Sequence, residues 1–569
     1  MNTPQITHEP NGGPVGTGGQ RPTDHRASGK IARCSVTTGP NKLDYLIALV
    51  LVLLALAAYV RTLAPDILYG DSAEFQCLAY TLGATHSTGY PTYLFLGRLI
   101  GFLPINNPAW RISLLSAVCA AFTVGGVYLL ARSFTRSRVG AALGSLALGI
   151  SYTFWSQAVI AEVYTPGMAF LVAIMLLLFR WQAETFSTAP GKRNLLLLAG
   201  ALLAGIGFGV HASVWLIAPP AVALVLWTLW SQRASRSEWL RSLSAGLAGA
   251  IVGLVIFLAA FLISDRLNSP TSFIRTTLEP SRAFWKLQPD DFNSPFKRLK
   301  MTVISAQWGD ALFPGGDFSF KKELHNFTDR LTKLEFPPPV LLFALVGLVV
   351  MLLTRPSMGA FYPLAFLFSM YLILNYQVGD KYVFYLSLYI PLTVAVGTGM
   401  GFVLDWVHRR LEIVPGRGYR LLYLFPVLFF VTMVVQPTAS VRLQALKQGV
   451  ADFVTEDYVF PIENLKEPRF VAQMRLSGIA ENAVFVLDWR AMYTTAYLAH
   501  VEKGMTNILF FEAMPRGNNG KVASTLVTQL LGYLQEGRPV YVEQQYPGLE
   551  ENFRILPAFG NLYKLSLKK

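Results

Sequence analysis

Two carboxylates three residues apart, Asp71 and Glu74, stand in the run Pro65-Asp66-Ile67-Leu68-Tyr69-Gly70-Asp71-Ser72-Ala73-Glu74-Phe75. On a helix that spacing puts both on one face. Such a pair can act as a general base, clamp a divalent cation or bind sugar hydroxyls. Helix capping accounts for the same spacing, with Asp71 or Ser72 at the N-cap and Glu74 near the third position. His86 follows in Gly83-Ala84-Thr85-His86-Ser87-Thr88-Gly89-Tyr90-Pro91, whose Gly, Ser and Pro reverse the chain. It is either a ligand or proton carrier, or an exposed loop residue. Glu162 lies in Trp155-Ser156-Gln157-Ala158-Val159-Ile160-Ala161-Glu162-Val163-Tyr164, flanked by apolar residues. A carboxylate buried there is costly without a partner. It either caps the next helix or faces the same cavity as Asp71. His211 and the pair Asp380-Lys381 occupy similar short connections, and Arg98 lies in an apolar segment, 92–103, where it could meet a lipid phosphate.

The elements that must position these groups are membrane spans. The chain has 569 residues, 53% hydrophobic and 14% charged, against about a quarter charged in soluble domains. Apolar runs long enough to cross a bilayer recur along most of it. Eleven spans are expected: 43–63, 109–131, 139–156, 163–181, 194–210, 212–230, 242–264, 338–354, 357–375, 382–404 and 420–436. The net charge of +14 sits in short loops between apolar runs, as membrane insertion requires, and no basic stripe alternates with aromatics, so nucleic-acid binding is set aside. Residues 1–42, rich in Gly, Pro and Thr, read as a disordered cytoplasmic tail ahead of an uncleaved signal anchor. Cys34, Cys77 and Cys119 form no disulfide framework or metal-ligand spacing.

Loop charge sets the orientation. Alternate loops carry Arg132, Arg136 and Arg138; Arg180, Lys192 and Arg193; Arg233, Arg236 and Arg241; Arg355; and Arg409, Arg410, Arg417 and Arg420. These are read as cytoplasmic. Asp71, Glu74, His86, Glu162, His211 and Asp380 then all fall at the outer face. Two outer loops are large, 64–108 and 265–337, and the second adds Trp285, Asp290, Asp291, Trp308 and Asp310. The region 437–569 is also outside. Its strand-like 483–488, 506–511 and 539–543 alternate with helix-like 491–501 and 521–535, a small α/β domain. Asp488 ends the first strand, where a structural or acceptor-docking role is expected of it. The fold class is therefore an all-α polytopic membrane protein, with residues 43–436 in the membrane domain and a small C-terminal α/β extramembrane domain.

At these residues the chain resembles domain-of-unknown-function family 2723, integral membrane proteins similar to the GT-C class of glycosyltransferases, with an animal relative that acts as a protein O-mannosyltransferase. The resemblance rests on Gly70 to Glu74, Ala84 to Pro91, Arg111-Ile112-Ser113, and Trp155 with Ala161-Glu162-Val163-Tyr164, and is most specific over 65–230. Ala73, Ser87, Thr88 and Ser113 depart from the family pattern. The resemblance implies a GT-C-like membrane domain, a polyprenyl-phosphate sugar donor, and Asp71 as base. Glu74 and Glu162 join Asp71 as candidate catalytic residues. His86, Tyr90, Arg98, His211 and Lys381 are the candidate substrate-binding residues. The leaving phosphate needs positive charge, which Arg98, Lys381 or a divalent cation held by Asp71, Glu74 and Glu162 could supply.

The expected function is transfer of a sugar from that donor to a protein or glycan hydroxyl, at the outer face of a bacterial inner membrane. A lipid or oligosaccharide flippase and a non-catalytic scaffold are the alternatives. A pump is disfavoured because span interiors hold almost no ionisable residues. The orientation is directly testable. An impermeant thiol reagent on intact cells is expected to leave Cys34 unlabelled and to reach Cys77 if that side chain is not buried. Labelling of Cys34 would reverse the orientation.

Overall fold

The computed structural model describes residues 40–568 apart from 87, 185–189, 304–310, 316–318, 412–423, 425, 426, 429, 432–438, 450–463 and 516–519. Trp308, Asp310, Cys34 and most of the eleventh expected span lie outside the described residues. The helices in chain order are α1 (Lys42–Arg61), α2 (Gly70–Thr81), α3 (Pro91–Gly101), α4 (Pro108–Arg132), α5 (Arg138–Gly149), α6 (Tyr152–Ala158), α7 (Tyr164–Ala183), α8 (Pro190–Phe208), α9 (Ala218–Ser231), α10 (Arg236–Leu267), α11 (Pro295–Val303), α12 (Phe320–Arg330), α13 (Pro338–Thr354), α14 (Pro356–Leu374), α15 (Leu386–Leu411), α16 (Ala439–Gln448), α17 (Glu467–Leu476), α18 (Trp489–Tyr497) and α19 (Ser524–Gln535). Among the described residues eight helices are long and apolar enough to cross a membrane, and up to ten spans result if two bent pairs each count as one. These ten correspond to the first ten expected spans.

Both bends occur where the sequence interrupts a helix. α5 and α6 meet at 66°, at Ser151, whose backbone is extended. The segment Phe320–Glu335 meets α13 at 106°, across Pro337-Pro338-Pro339. Proline there removes main-chain donors and clashes with the preceding turn. The long connection 265–337 is thus partly helical.

Small residues bring the spans into backbone contact, the usual means of packing helices in lipid. A Cβ at Gly347 of α13 would stand 1.8 Å from the Ala395 carbonyl oxygen of α15, and one at Gly399 would stand 1.9 Å from that of Phe343. Cys77 is fully buried, so a thiol reagent cannot use it to report topology.

The C-terminal region forms a five-stranded sheet of β1 (Val484–Leu487), β2 (Leu509–Glu512), β3 (Val540–Val542), β4 (Phe553–Pro557) and β5 (Tyr563–Leu567) in the order β2-β1-β3-β5-β4. β1 pairs parallel with β2 and β3, whereas β5 pairs antiparallel with β3 and β4. The first three strands and both helices match the expectation. β4 and β5 extend it.

This sheet and its helices are tied to the connection 64–108 and to the start of α4. Arg469 of α17 forms ion pairs with Asp66 and Glu502. Tyr69 donates to Glu467 at 3.0 Å, Thr494 to the Leu68 carbonyl at 2.7 Å, and the Ala109 amide to the Tyr497 hydroxyl at 3.0 Å. α18 consequently lies along α2, the helix that carries the two acids.

Gly347→Ala is expected to lower stability by about 1–3 kcal/mol, the usual cost of overpacking, because its neighbour is main chain and cannot rotate away. A melting curve of the purified protein in detergent checks this. An unchanged transition would show that α13 and α15 are not in backbone contact.

Candidate functional site

α2 begins abruptly. Tyr69 is the N-cap, with extended backbone and no side-chain capping bond. Asp71 and Glu74 therefore lie inside the helix, and the capping explanation of their spacing fails. Asp71 accepts a hydrogen bond from the indole Nε1 of Trp489 at 3.0 Å. Glu74, wholly buried, accepts the main-chain N–H of His86 at 2.9 Å and contacts the ring Nδ1 of the same residue. The other ring nitrogen, Nε2, is 3.8 Å from Asp71. One imidazole thus bridges two carboxylates.

The turn that delivers His86 is held in a costly conformation. Thr88, Gly89 and Tyr90 have φ of 65°, 73° and 39°, left-handed values that non-glycine residues adopt only when their surroundings enforce them. The enforcement is visible: the Thr88 amide donates to the Thr302 carbonyl at 2.9 Å and the Gly89 amide to that of His86 at 3.1 Å. The Tyr90 ring is thereby placed edge-on to His86 and stacked on His211.

Asp71, His86, Tyr90, Tyr164, His211 and Asp380 line one cavity of about 310 Å³. Across it from Asp71, Tyr164 donates to Asp380 Oδ2 at 3.0 Å. His211 Nδ1 is 2.7 Å from Ser213 Oγ and accepts the Ser213 amide at 3.2 Å. Burial drives the His211 pKa down to about 3, and the charge of His86 adds to that. His86 goes the other way. Burial alone would lower its pKa, but the carboxylates of Glu74 and then Asp71 outweigh that and raise it to about 10. The cavity thus pairs a cationic imidazole with a neutral one. Burial, then Asp71, raises the proton affinity of Asp380.

Glu162 is buried just behind this wall, where its amide donates to Ser116 Oγ at 3.1 Å. It does not cap α7, whose N-cap is Val163 without a side-chain bond. Burial, then Asp71 and Asp380, pushes its proton affinity well up.

Two expected residues are not brought in. Arg98 donates to the Tyr80 carbonyl at 3.1 Å and stacks on Phe102. Lys381 donates to Glu323 at 2.8 Å. Neither lines the cavity. Asp291 caps a local turn at Gln288, and Asp488 caps α18 by accepting from the Arg490 amide. Among the described residues no group of three or more His, Cys, Asp or Glu could hold a metal ion. Asp71, Glu74 and Glu162 do not converge as a cation clamp. Trp489 was not singled out by sequence reasoning. Its only signal was its place next to Asp488, at the end of a strand.

Residues 71–235 match the family model of the protein O-mannosyl-transferase TMEM260 N-terminal domain. This bears out the resemblance read from the motifs. The curated TMEM260 protein of Mus musculus is 27% identical over 151 residues, 26% of this chain and 21% of that protein. That of Dictyostelium discoideum is 24% identical over 221 residues, 37% and 26% respectively. The chain therefore spans about a quarter or less of the length of these two TMEM260 proteins. Two solved structures share its fold. ArnT from Cupriavidus metallidurans, bound to undecaprenyl phosphate, aligns with a TM-score of 0.54 at 11% identity over 91% of this chain and 97% of that one. The oligosaccharyltransferase AglB of Archaeoglobus fulgidus, in complex with an inhibitory peptide and a dolichol-phosphate, gives 0.52 at 14% identity over 88% and 70%. The chain is an integral membrane protein with the GT-C fold.

The electrostatics predict a pH dependence. The His86 pKa stands at about 10, above its ordinary 6.5. Its stabilising contribution is therefore full below pH 6.5 and is lost as pH rises through about 10. The melting temperature of the native protein is expected to fall over that window more steeply than that of His86→Gln. Parallel curves for the two would mean that His86 is not a buried cation.

Proposed function

We propose that this protein transfers a single sugar from a polyprenyl-phosphate carrier to a hydroxyl of a protein or glycan at the outer face of a bacterial inner membrane. The observation that carries the reading is the 3-10 turn Ala212–Ile217. Ala212, Ser213 and Leu216 line the cavity at Asp71. Val214, Trp215 and Ile217 line a second, apolar space of about 360 Å³ between α7, α8, α9 and α10. One turn thus separates a compartment that carries acids and histidines among its apolar and aromatic walls from one lined almost wholly by hydrocarbon. A sugar joined to a prenyl chain through phosphate has this same division. Burying each CH₂ of the chain contributes about 0.8 kcal/mol.

In the proposed step the acceptor oxygen forms a bond to the anomeric carbon, whose bond to the phosphate oxygen breaks. The acceptor proton passes to Asp71, and the phosphate leaves with the bonding pair, its charge met by the His86 imidazolium. Asp71 suits the base because its side chain keeps 31% exposure while that of Glu74 keeps none. Glu74 is a positioning residue that holds His86. The names of the TMEM260 relatives make mannose the first sugar to test, and the ligands named for ArnT and AglB support a polyprenyl or dolichyl carrier.

Purified protein in nanodiscs is expected to transfer sugar from a polyprenyl-phosphate donor and not from a nucleotide sugar. Asp71→Asn should fold normally and lose roughly a hundredfold or more in rate, the scale of a general base. Full activity in Asp71→Asn would remove the base, and efficient transfer from a nucleotide sugar would remove the donor.

A further inference from the structure

A second cleft, of about 630 Å³, opens beside the outer end of α10. It is separate from the cavity at Asp71. The partition is the pairing of Ala84 with Ser272 and Phe273: the Phe273 amide donates to the Ala84 carbonyl at 2.8 Å, and the Ala84 amide donates to Ser272 Oγ at 3.1 Å.

The lining of this cleft is cationic on balance. Arg266, Arg275 and Arg298 face Asp265 and Glu279, three positive charges against two negative. Asp265 is committed to Arg298, whose Nε and Nη2 both lie 2.6 Å from its carboxylate oxygens. Arg266 and Arg275 are exposed. Ser264, only 3% exposed, also lines the cleft, and its hydroxyl has no hydrogen-bond partner among the described residues. A buried hydroxyl without a partner costs free energy that a bound acceptor oxygen would recover.

The position of the cleft narrows the ligand. Arg266 sits in the last turn of α10, a helix of membrane-crossing length and hydropathy, so the cleft lies where hydrocarbon gives way to headgroups. Ile263 and Leu267 of α10 and Phe296 of α11 stand exposed at 51%, 54% and 63%. Exposed Lys297 and Lys300 accompany Phe296 on α11, and a short helix with that mix of cations and apolar side chains suits the membrane surface.

We propose that this cleft binds the phosphate of an anionic phospholipid, with Arg266 and Arg275 meeting the charge, Ser264 donating its hydroxyl, and the apolar rim holding the acyl chains. Guanidinium groups are suited to phosphate oxygens because they donate in a planar fork.

The full-length protein in neutral detergent, challenged with phosphatidylglycerol or phosphatidylcholine and examined by native mass spectrometry, tests this without any activity assay. The expected result is preferential retention of phosphatidylglycerol, not displaced by excess inorganic phosphate. The double variant Arg266→Gln/Arg275→Gln should lose on the order of thirtyfold in that retention, the scale of two basic residues at an anionic surface. Its melting temperature without lipid reports whether it has folded. Ser264→Val, which leaves every charge in place, should also weaken retention. Equal retention of both lipids, undiminished retention in both the double variant and Ser264→Val, or displacement by inorganic phosphate as the true occupant would each overturn the proposal.

Discussion

The site is organised around one buried ion pair. Glu74 has no solvent of its own, and a carboxylate in that position is costly unless something compensates it. Burial and the neighbouring Asp71 both push its proton affinity up, and the His86 imidazolium is what opposes them. The compensation is geometric as well as electrostatic, since the main-chain amide of His86 also donates to Glu74. Placing that imidazole requires the left-handed turn at Thr88, Gly89 and Tyr90, and the turn in turn places the Tyr90 ring against His211. The two acids three apart therefore divide their labour. The buried one fixes the local architecture, and the partly exposed one keeps a face toward the cavity.

The C-terminal α/β region takes part in this arrangement. Asp71 is oriented by Trp489, which lies 418 residues further along the chain. The helix bearing Trp489 is fixed to the connection 64–108 through Thr494 and to the start of α4 through Tyr497, and the adjoining α17 is fixed to that connection through Glu467 and Arg469. Burial raises the Glu512 carboxyl to about 8, while Thr277 donates to it at 2.9 Å. That contact ties strand β2 to the connection 265–337. The last part of the chain thus acts as a clamp on both large loops, and the indole it supplies is an inward tip of that clamp.

Much of this was legible in residue types. Apolar runs located the ten described spans because bilayer thickness dictates their length. Their packing partners depend on where glycines meet, as at Gly347 and Gly399, and periodicity does not encode that. Asp71, Glu74 and His86 were visible by type and spacing, but capping could be dismissed only once Tyr69 proved to be the N-cap. Charge patterning put Arg98 and Lys381 on the same face as the acids. It could not show that Tyr80 and Glu323 occupy them. The strand β5 (Tyr-Lys-Leu-Ser-Leu) carries an alternating signal that could have been read. Trp489 carried none that tied it to Asp71, because that contact is made between distant parts of the chain.

The size and charge of the cavity bear on the choice among the functions considered. At about 310 Å³ it stands at the small end of ligand pockets, roughly 300–1,000 Å³. That suits one sugar ring and an approaching hydroxyl better than an oligosaccharide passing across the membrane. A flippase needs a polar route through the spans, whereas the ionisable groups of this cavity lie in the connections at one end of them, and the buried Asp44–Arg132 pair lies at the other end. The two histidines add a chemical argument. On the side of Asp71 the His86 imidazolium stands between two carboxylates, and on the other side the His211 ring is neutral. A scaffold has no need to hold two imidazoles in opposite charge states within one cavity, whereas groups with such shifted proton affinities gather where protons are moved.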